Sequence, residues 1–328
     1  MRTIQDAYQA EIAADSTSGY DRNQLMPAIA HIGVGGFHRA HQAWYLERYN
    51  RRLTPESTDR GWGIVGIGLL PNDGPFLQKM QEQNGLYSLT LADQDQQETT
   101  VLGSIIKVIA AADDSQRAID QLADPAIRII STTITEGGYL FDFESNRFIA
   151  DHPLVRNDLD LNRAPQSIFG YLSRALRQRC DSAAGPVTLM SCDNVPGNGE
   201  VLQKALTAFL QLSGDQKLLQ WVSQNVSFPN SMVDRKTPTP SAQLADDVAK
   251  RTGVQDKCPV LGEPFAQWVI EDDFIAGRPA LESVGVEFTP HVENFEQLKL
   301  RILNGTHILV SLIGRLQGLT YIHETLAD

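Results

Sequence analysis

Apolar residues follow two periods along this chain. Six short runs rich in aliphatic residues are bounded by glycine, proline or polar clusters: 28–32, 63–69, 86–91, 101–110, 127–133 and 186–190. Runs of this length predict buried strands. Between them lie amphipathic stretches with helical spacing. One begins at Arg39 and carries Ala43, Trp44 and Leu46; another covers 164–179, with Ile168, Tyr171, Leu172, Ala175 and Leu176 on one face. Further helices are predicted over 114–122, 200–212 and 216–224. Strands alternating with helices imply an α/β fold with a doubly wound, mainly parallel sheet. The 86–91 and 101–110 runs are close enough to pair as a hairpin, and 226–235 reads as a short strand and loop.

The last patterned stretch, 295–316, is helical in period. Phe295, Leu298, Ile302, Leu309, Ile313 and Leu316 form one stripe, which predicts a buried face. Lys299, Asn304 and His307 interrupt it. On a wheel of about 100° per residue they fall at about 0°, 140° and 80°, with the stripe centred near 290°. A lysine, an amide and an imidazole therefore share one flank. By itself that flank fits a solvated helix face better than a site.

The chain has 328 residues, long enough for two domains or one large one, and Lys plus Arg against Asp plus Glu gives 28 − 40 = −12. An acidic chain without basic clusters argues against nucleic-acid and anionic-membrane partners. The first residues have neither a basic region nor an apolar core of a secretory signal, and no apolar run is long enough to span a bilayer. Three cysteines at unrelated spacings, Cys180, Cys192 and Cys258, suit free thiols in a reducing compartment. A cytoplasmic location is expected.

Chemistry concentrates where strands end. After the first strand, Gly33, Gly35 and Gly36 form a strand-to-helix turn of the kind that brings backbone amides to a pyrophosphate, although His38 stands at the third glycine position of G-x-G-x-x-G. The pattern fits an ordinary glycine turn equally well; Arg39 adds a phosphate partner. Asp73 follows the second strand, where an acid would take the adenosine ribose hydroxyls and repel a 2′-phosphate, favouring NAD over NADP. Its distance from the turn implies an insertion near 53–60. Glu136 lies in the turn after the fifth run, and Asn194 in the polar segment after the last. His38 and His41, three apart, lack the ligands to complete a metal set, so packing or hydrogen bonding is the expected role.

Six segments together resemble the polyol-specific long-chain dehydrogenases and reductases: HIGVGGFHRAHQA (31–43), TITEGGY (133–139), MSCDNVPGNG (190–199), FPNSMVDR (228–235), EPFAQWVIED (263–272) and KLRILNGTH (299–307). The family's K-x-x-x-x-N-x-x-H signature is matched by Lys299, Asn304 and His307. The resemblance implies a metal-independent NAD(P)-linked oxidoreductase acting on a small polyol or ketose, such as D-mannitol and D-fructose, with arabinitol or hexuronate substrates as alternatives. It makes Lys299 the general base, Asn304 and Asn194 the holders of the reacting oxygen, His307 the orienting group, and Glu296 an acid concerned with proton movement. Gly33, Gly35, Gly36, Phe37, Arg39, Asp73, Glu136 and Asp234 fall with the cofactor contacts.

The resemblance also sets the expected domains: a Rossmann-like unit over 1–290, then the first helices of a mainly α-helical second domain over 291–328. The family's chains run beyond this length and draw substrate contacts from that later part. The expectation is a fragment or a natural truncation, with the 298–313 stripe exposed. A non-catalytic dinucleotide-binding module is the alternative of another class. Oligomeric state is open.

Overall fold

A computed structural model describes residues 1–14, 20–59, 61–93, 96–241, 243–319 and 325, apart from the side chains of 303, 304 and 307. Its centre is a six-stranded, wholly parallel sheet. The strands are β1 (Met26–Ile32), β2 (Trp62–Gly68), β5 (Ile105–Ala110), β6 (Ile129–Thr132), β7 (Val187–Ser191) and β8 (Val226–Ser227), in spatial order β8-β7-β6-β1-β2-β5. The chain starts in the middle, builds outward through β2 and β5, then crosses back to β6. The order therefore reverses between β1 and β6, where open α/β sheets form a crevice.

Both faces are covered, as a parallel sheet requires. Side-chain alternation sends Ala30, Ile32, Val65 and Ile67 to one core and Ile29 and Ile64 to the other. The first core is closed by α3 (Ser115–Ala123), α4 (Ile168–Ser182) and α5 (Asn198–Ser213). The second holds the helix of the glycine turn, which is broken in two: α1 (Gly36–Ala40) and α2 (Gln42–Arg51) meet at a non-helical His41.

Two expectations change here. The 101–110 run is not one partner of a hairpin. Its first part belongs to β4 (Gln97–Leu102), antiparallel to β3 (Tyr87–Ala92), and its second part is β5 of the main sheet. Gly103 and Ser104 make the transition: Gly103 N–H donates to Glu47 Oε2 at 2.9 Å, and Ser104 O accepts from Ile64 N at 2.8 Å. The helix expected from Ala164 begins at Ile168. The Asp158 carboxylate draws the amides of Gln166 and Ser167 away at 2.7 Å each, and Ser167 then caps the helix by accepting from Gly170 N.

A smaller sheet beside the crevice pairs β9 (Ser231–Asp234) antiparallel with β10 (Gln267–Ile270). On it rests α6 (Val292–Leu298), through Val292 and Phe295 against Met232 and Val269. The chain continues as a six-residue π-helix, Lys299–Asn304, and then α7 (Gly305–Leu316). The stripe that its period alone would bury is exposed, as the truncation reading expects: Leu298, Ile302 and Leu309 are 57%, 61% and 58% accessible. Among the described residues, Phe295 is the one stripe residue that packs on a buried cluster, through α6 against the small sheet. No helix among the described residues is long and apolar enough to cross a membrane.

Candidate active site

The glycine turn is held by backbone geometry. Gly33 has φ +101°, and a Cβ there would run into the Thr133 carbonyl, so only glycine fits. Its N–H donates to Ile67 O at 2.9 Å, and its carbonyl accepts from Thr133 Oγ1 at 2.6 Å. Thr133 N–H in turn donates to Ile32 O at 2.9 Å, locking the turn to the end of β6. Gly35 is the reverse case: a Cβ built there meets nothing closer than 4.0 Å, leaving the outer edge of the turn open.

That edge borders a cavity of about 630 Å³ over the β1–β6 crevice. Gly33, Gly35, Gly36, Arg39 and Asp73 line it, with Thr133–Thr135 on the facing wall. Arg39 is buried, donates through Nη1 to Cys258 O at 2.5 Å, and stacks over Phe76 and Tyr87. Its Nε has no hydrogen-bond partner, and no carboxylate pairs with it among the described residues. Asp73 Oδ2 accepts from Leu70 N at 2.9 Å. Three residues grouped with the cofactor contacts sit apart from the cavity wall, among them Asp234, which lies on the Lys299 pocket. Phe37 packs on the His41 ring, with centroids 4.9 Å apart, and Glu136 is exposed beside the lining residues Thr135 and Gly137.

A polar layer lies under the turn. The His31 and His38 rings stack at 3.4 Å, and His31 meets Ser131 Oγ at 2.8 Å and Thr133 Oγ1 at 2.9 Å. Burial lowers the His31 and His41 pKa values to about 3 each, so both rings are neutral. His41 Nε2 lies 2.9 Å from Gln267 O, in a nest of Phe37, Tyr45 and Trp268. His38 and His41 thus face different partners.

Lys299 stands at the start of the π-helix, and three elements converge on it. Its Nζ donates to Asn194 Oδ1 at 3.0 Å, beyond the end of β7, and to Val233 O at 2.6 Å in β9. Asp234 Oδ1 is 3.7 Å away, with the lysine side chain 11% exposed. Burial lowers the Lys299 pKa, while the Asp234 charge pulls it back up. A pocket of about 330 Å³ opens in front, between Lys299, Asp234, Gln267 and the apolar side chains of Phe265, Phe295 and Ile302. Asp234 therefore lies on this pocket and not on the large cavity where it was grouped. Behind Lys299, a space of about 20 Å³ touches Asp193, Asn194 and Glu296. Both Glu296 oxygens lie 3.2 Å from Gly197 N, at the start of α5, and burial raises the Glu296 pKa.

The π-helix revises the wheel. Its i→i+5 winding turns less per residue than an α-helix, so angles counted from Lys299 to His307 no longer hold. The side chains of Asn304 and His307 lie outside the described residues. Asp193, Tyr139 and Asp158 also belong to the site's surroundings, although no motif in the sequence assigns them a role. Asp193 binds the backbone of the 133–135 turn, and Asp158 that of the 166–167 wall. Position offered one signal: Asp193 directly precedes Asn194. Nothing local marks Asp158, whose partners are eight and nine residues on.

Known proteins agree with this architecture. The family described as mannitol dehydrogenase Rossmann domain matches residues 27–283. The D-arabinitol 4-dehydrogenase of Ralstonia nicotianae is 44% identical over 92% of this chain and 64% of its own length. The mannitol 2-dehydrogenase of Cereibacter sphaeroides is 42% identical over 94% of this chain and 63% of its own. The Pseudomonas fluorescens mannitol 2-dehydrogenase, solved as a ternary complex with NAD and D-mannitol, superposes with TM-score 0.86 at 42% identity, over 94% of this chain and 62% of that one. The chain thus spans less than two thirds of the length of these relatives. On the match across its Rossmann unit, the chain belongs to the mannitol dehydrogenase family.

Proposed function

We propose that the chain carries the cofactor half and the catalytic base of an NAD-dependent polyol dehydrogenase, interconverting a secondary alcohol and a ketone, with D-mannitol and D-fructose as the reference pair. The observation that carries this is the place of Lys299: a shielded amine with a lowered pKa, facing an open pocket and held by a residue from the carboxyl edge of the dinucleotide-type sheet.

The residues around the large cavity fit a dinucleotide. Gly35 leaves room at the turn, the Arg39 Nε is a buried donor without a partner, and Asp73 presents a carboxylate where a 2′-phosphate would be repelled, which favours NAD over NADP. When bound, the nicotinamide supplies the hydride acceptor. The protein handles the proton. Lys299 as neutral amine would take the proton from the substrate hydroxyl oxygen while the hydride leaves the carbon that bears that oxygen; as ammonium it would return the proton to the ketone oxygen. Asn194 accepts from Lys299 through Oδ1, which leaves its Nδ2 to donate to the substrate oxygen as negative charge grows there. Asn304 and His307 complete this set in our reading, with Asn304 as second donor and His307 orienting the substrate. Asp234 and Glu296 adjust the charge around the lysine.

In the same reading, residues 1–290 are the dinucleotide-binding unit and 291–328 the first helices of a second domain, beginning where α6 leaves the small sheet. Three free cysteines support a reducing, cytoplasmic setting. D-Arabinitol is the second substrate to test, on the strength of the 44% identical relative named for it. The test is initial-rate NADH formation with D-mannitol and D-arabinitol, and NADH consumption with D-fructose and a hexuronate. Turnover of a polyol–ketose pair is expected; turnover confined to the hexuronate would overturn the substrate class.

A further inference from the structure

Asp193 joins the two cavities. Its Oδ1 accepts from Thr135 N at 2.8 Å and its Oδ2 from Ile134 N at 3.1 Å; both donors belong to the wall of the large cavity. Oδ2 also accepts from the Tyr139 hydroxyl at 2.6 Å. On its other side Asp193 borders the small space behind Lys299, and the next residue is the lysine's partner Asn194. Asp193 is buried and forms no salt bridge among the described residues. Burial raises the Asp193 pKa, and the three donors to its carboxylate oppose that rise by favouring the ionised form. At mildly alkaline pH the result is a buried negative charge, without an ion-pair partner among the described residues, between the dinucleotide cavity and the catalytic lysine.

We propose that Asp193 is a positioning residue that fixes the Ile134–Thr135 wall and, through its charge, biases the cavity toward the oxidised dinucleotide. This rests on the dehydrogenase reading above. If Lys299 takes the proton, the ring that accepts the hydride must lie beside the same wall. That ring is cationic when oxidised and neutral when reduced, so a buried anion there strengthens binding of one form over the other. Tyr139 serves the bias indirectly, by holding the carboxylate in place; its own hydroxyl also lies 2.5 Å from Ser191 Oγ.

The test is calorimetric titration of NAD⁺ and NADH against the wild-type chain, Asp193→Asn and Tyr139→Phe at mildly alkaline pH, with melting curves alongside. In Asp193→Asn the ratio Kd(NAD⁺)/Kd(NADH) should rise about fivefold, the effect of removing one partly screened charge. In Tyr139→Phe, which keeps the charge, the ratio should stay within about twofold of wild type. Asp193→Ser removes the charge with less bulk and gives the same readout if the asparagine variant does not fold. A lowered melting temperature with an unchanged ratio would overturn the proposal and leave Asp193 a structural residue. A wild-type chain that binds neither dinucleotide would overturn the cofactor reading, and this proposal with it.

Discussion

The two cavities are built by opposite means. The large one is a backbone structure. Its glycine turn is pinned by Gly33 N–H to β2 and by Thr133 to β6, its facing wall is tied down by Asp193, and its outer wall by Asp158. The lysine pocket is a side-chain structure. One residue of a helical stretch reaches across to Asn194, Val233 and Asp234, and among the described residues that stretch joins a buried cluster through its first turns. In the proposed function, a dinucleotide is met by a preformed, glycine-limited cradle, and the proton chemistry is left to side chains on the helical stretch around Lys299.

That difference predicts where damage falls. The largest effect belongs to the lysine pocket. Lys299→Ala should lower turnover by about three orders of magnitude, the scale of a lost general base, with NADH affinity from fluorescence titration almost unchanged. Next comes the cavity wall. Asp158 is 1% exposed and accepts from Gln166 N, Ser167 N, Ser167 Oγ and Asn157 Nδ2. Asp158→Ala leaves those donors short of an acceptor and should cost about 3 kcal/mol in denaturant unfolding. The smallest effect belongs to the exposed stripe: Leu309→Lys should change stability by no more than about 0.5 kcal/mol, as for a surface position.

The same contrast governs how much the sequence discloses. The strands of the parallel sheet are legible because a strand buried on both faces must be almost wholly apolar, as in β2. The glycine turn is legible because Gly33 has a conformation that side chains resist. Lys299 stands out only as a charge beside an apolar stripe, and the six matching segments, not the wheel, give it a role. Three features escape. The Gly103–Ser104 transition hides inside an apolar run, because both halves are buried in different sheets. The π-helix has no period that one sequence reveals. The Asp193 and Asp158 clamps look like ordinary loop acids, since a carboxylate that accepts backbone amides is defined by where the chain returns, not by its neighbours.

In the proposed function Lys299 is a base whose proton affinity is set by burial and by Asp234. The most direct measurement is the pH dependence of polyol oxidation in the wild type and in Asp234→Asn. Oxidation needs the neutral amine, so the rate should rise with pH as Lys299 loses its proton. Burial places that rise below the ordinary lysine range, and Asp234 opposes this by favouring the ammonium. Removing the Asp234 charge should therefore move the rise to lower pH. A rise that stays in place, or moves to higher pH, would contradict the assignment of Lys299 as the titrating base.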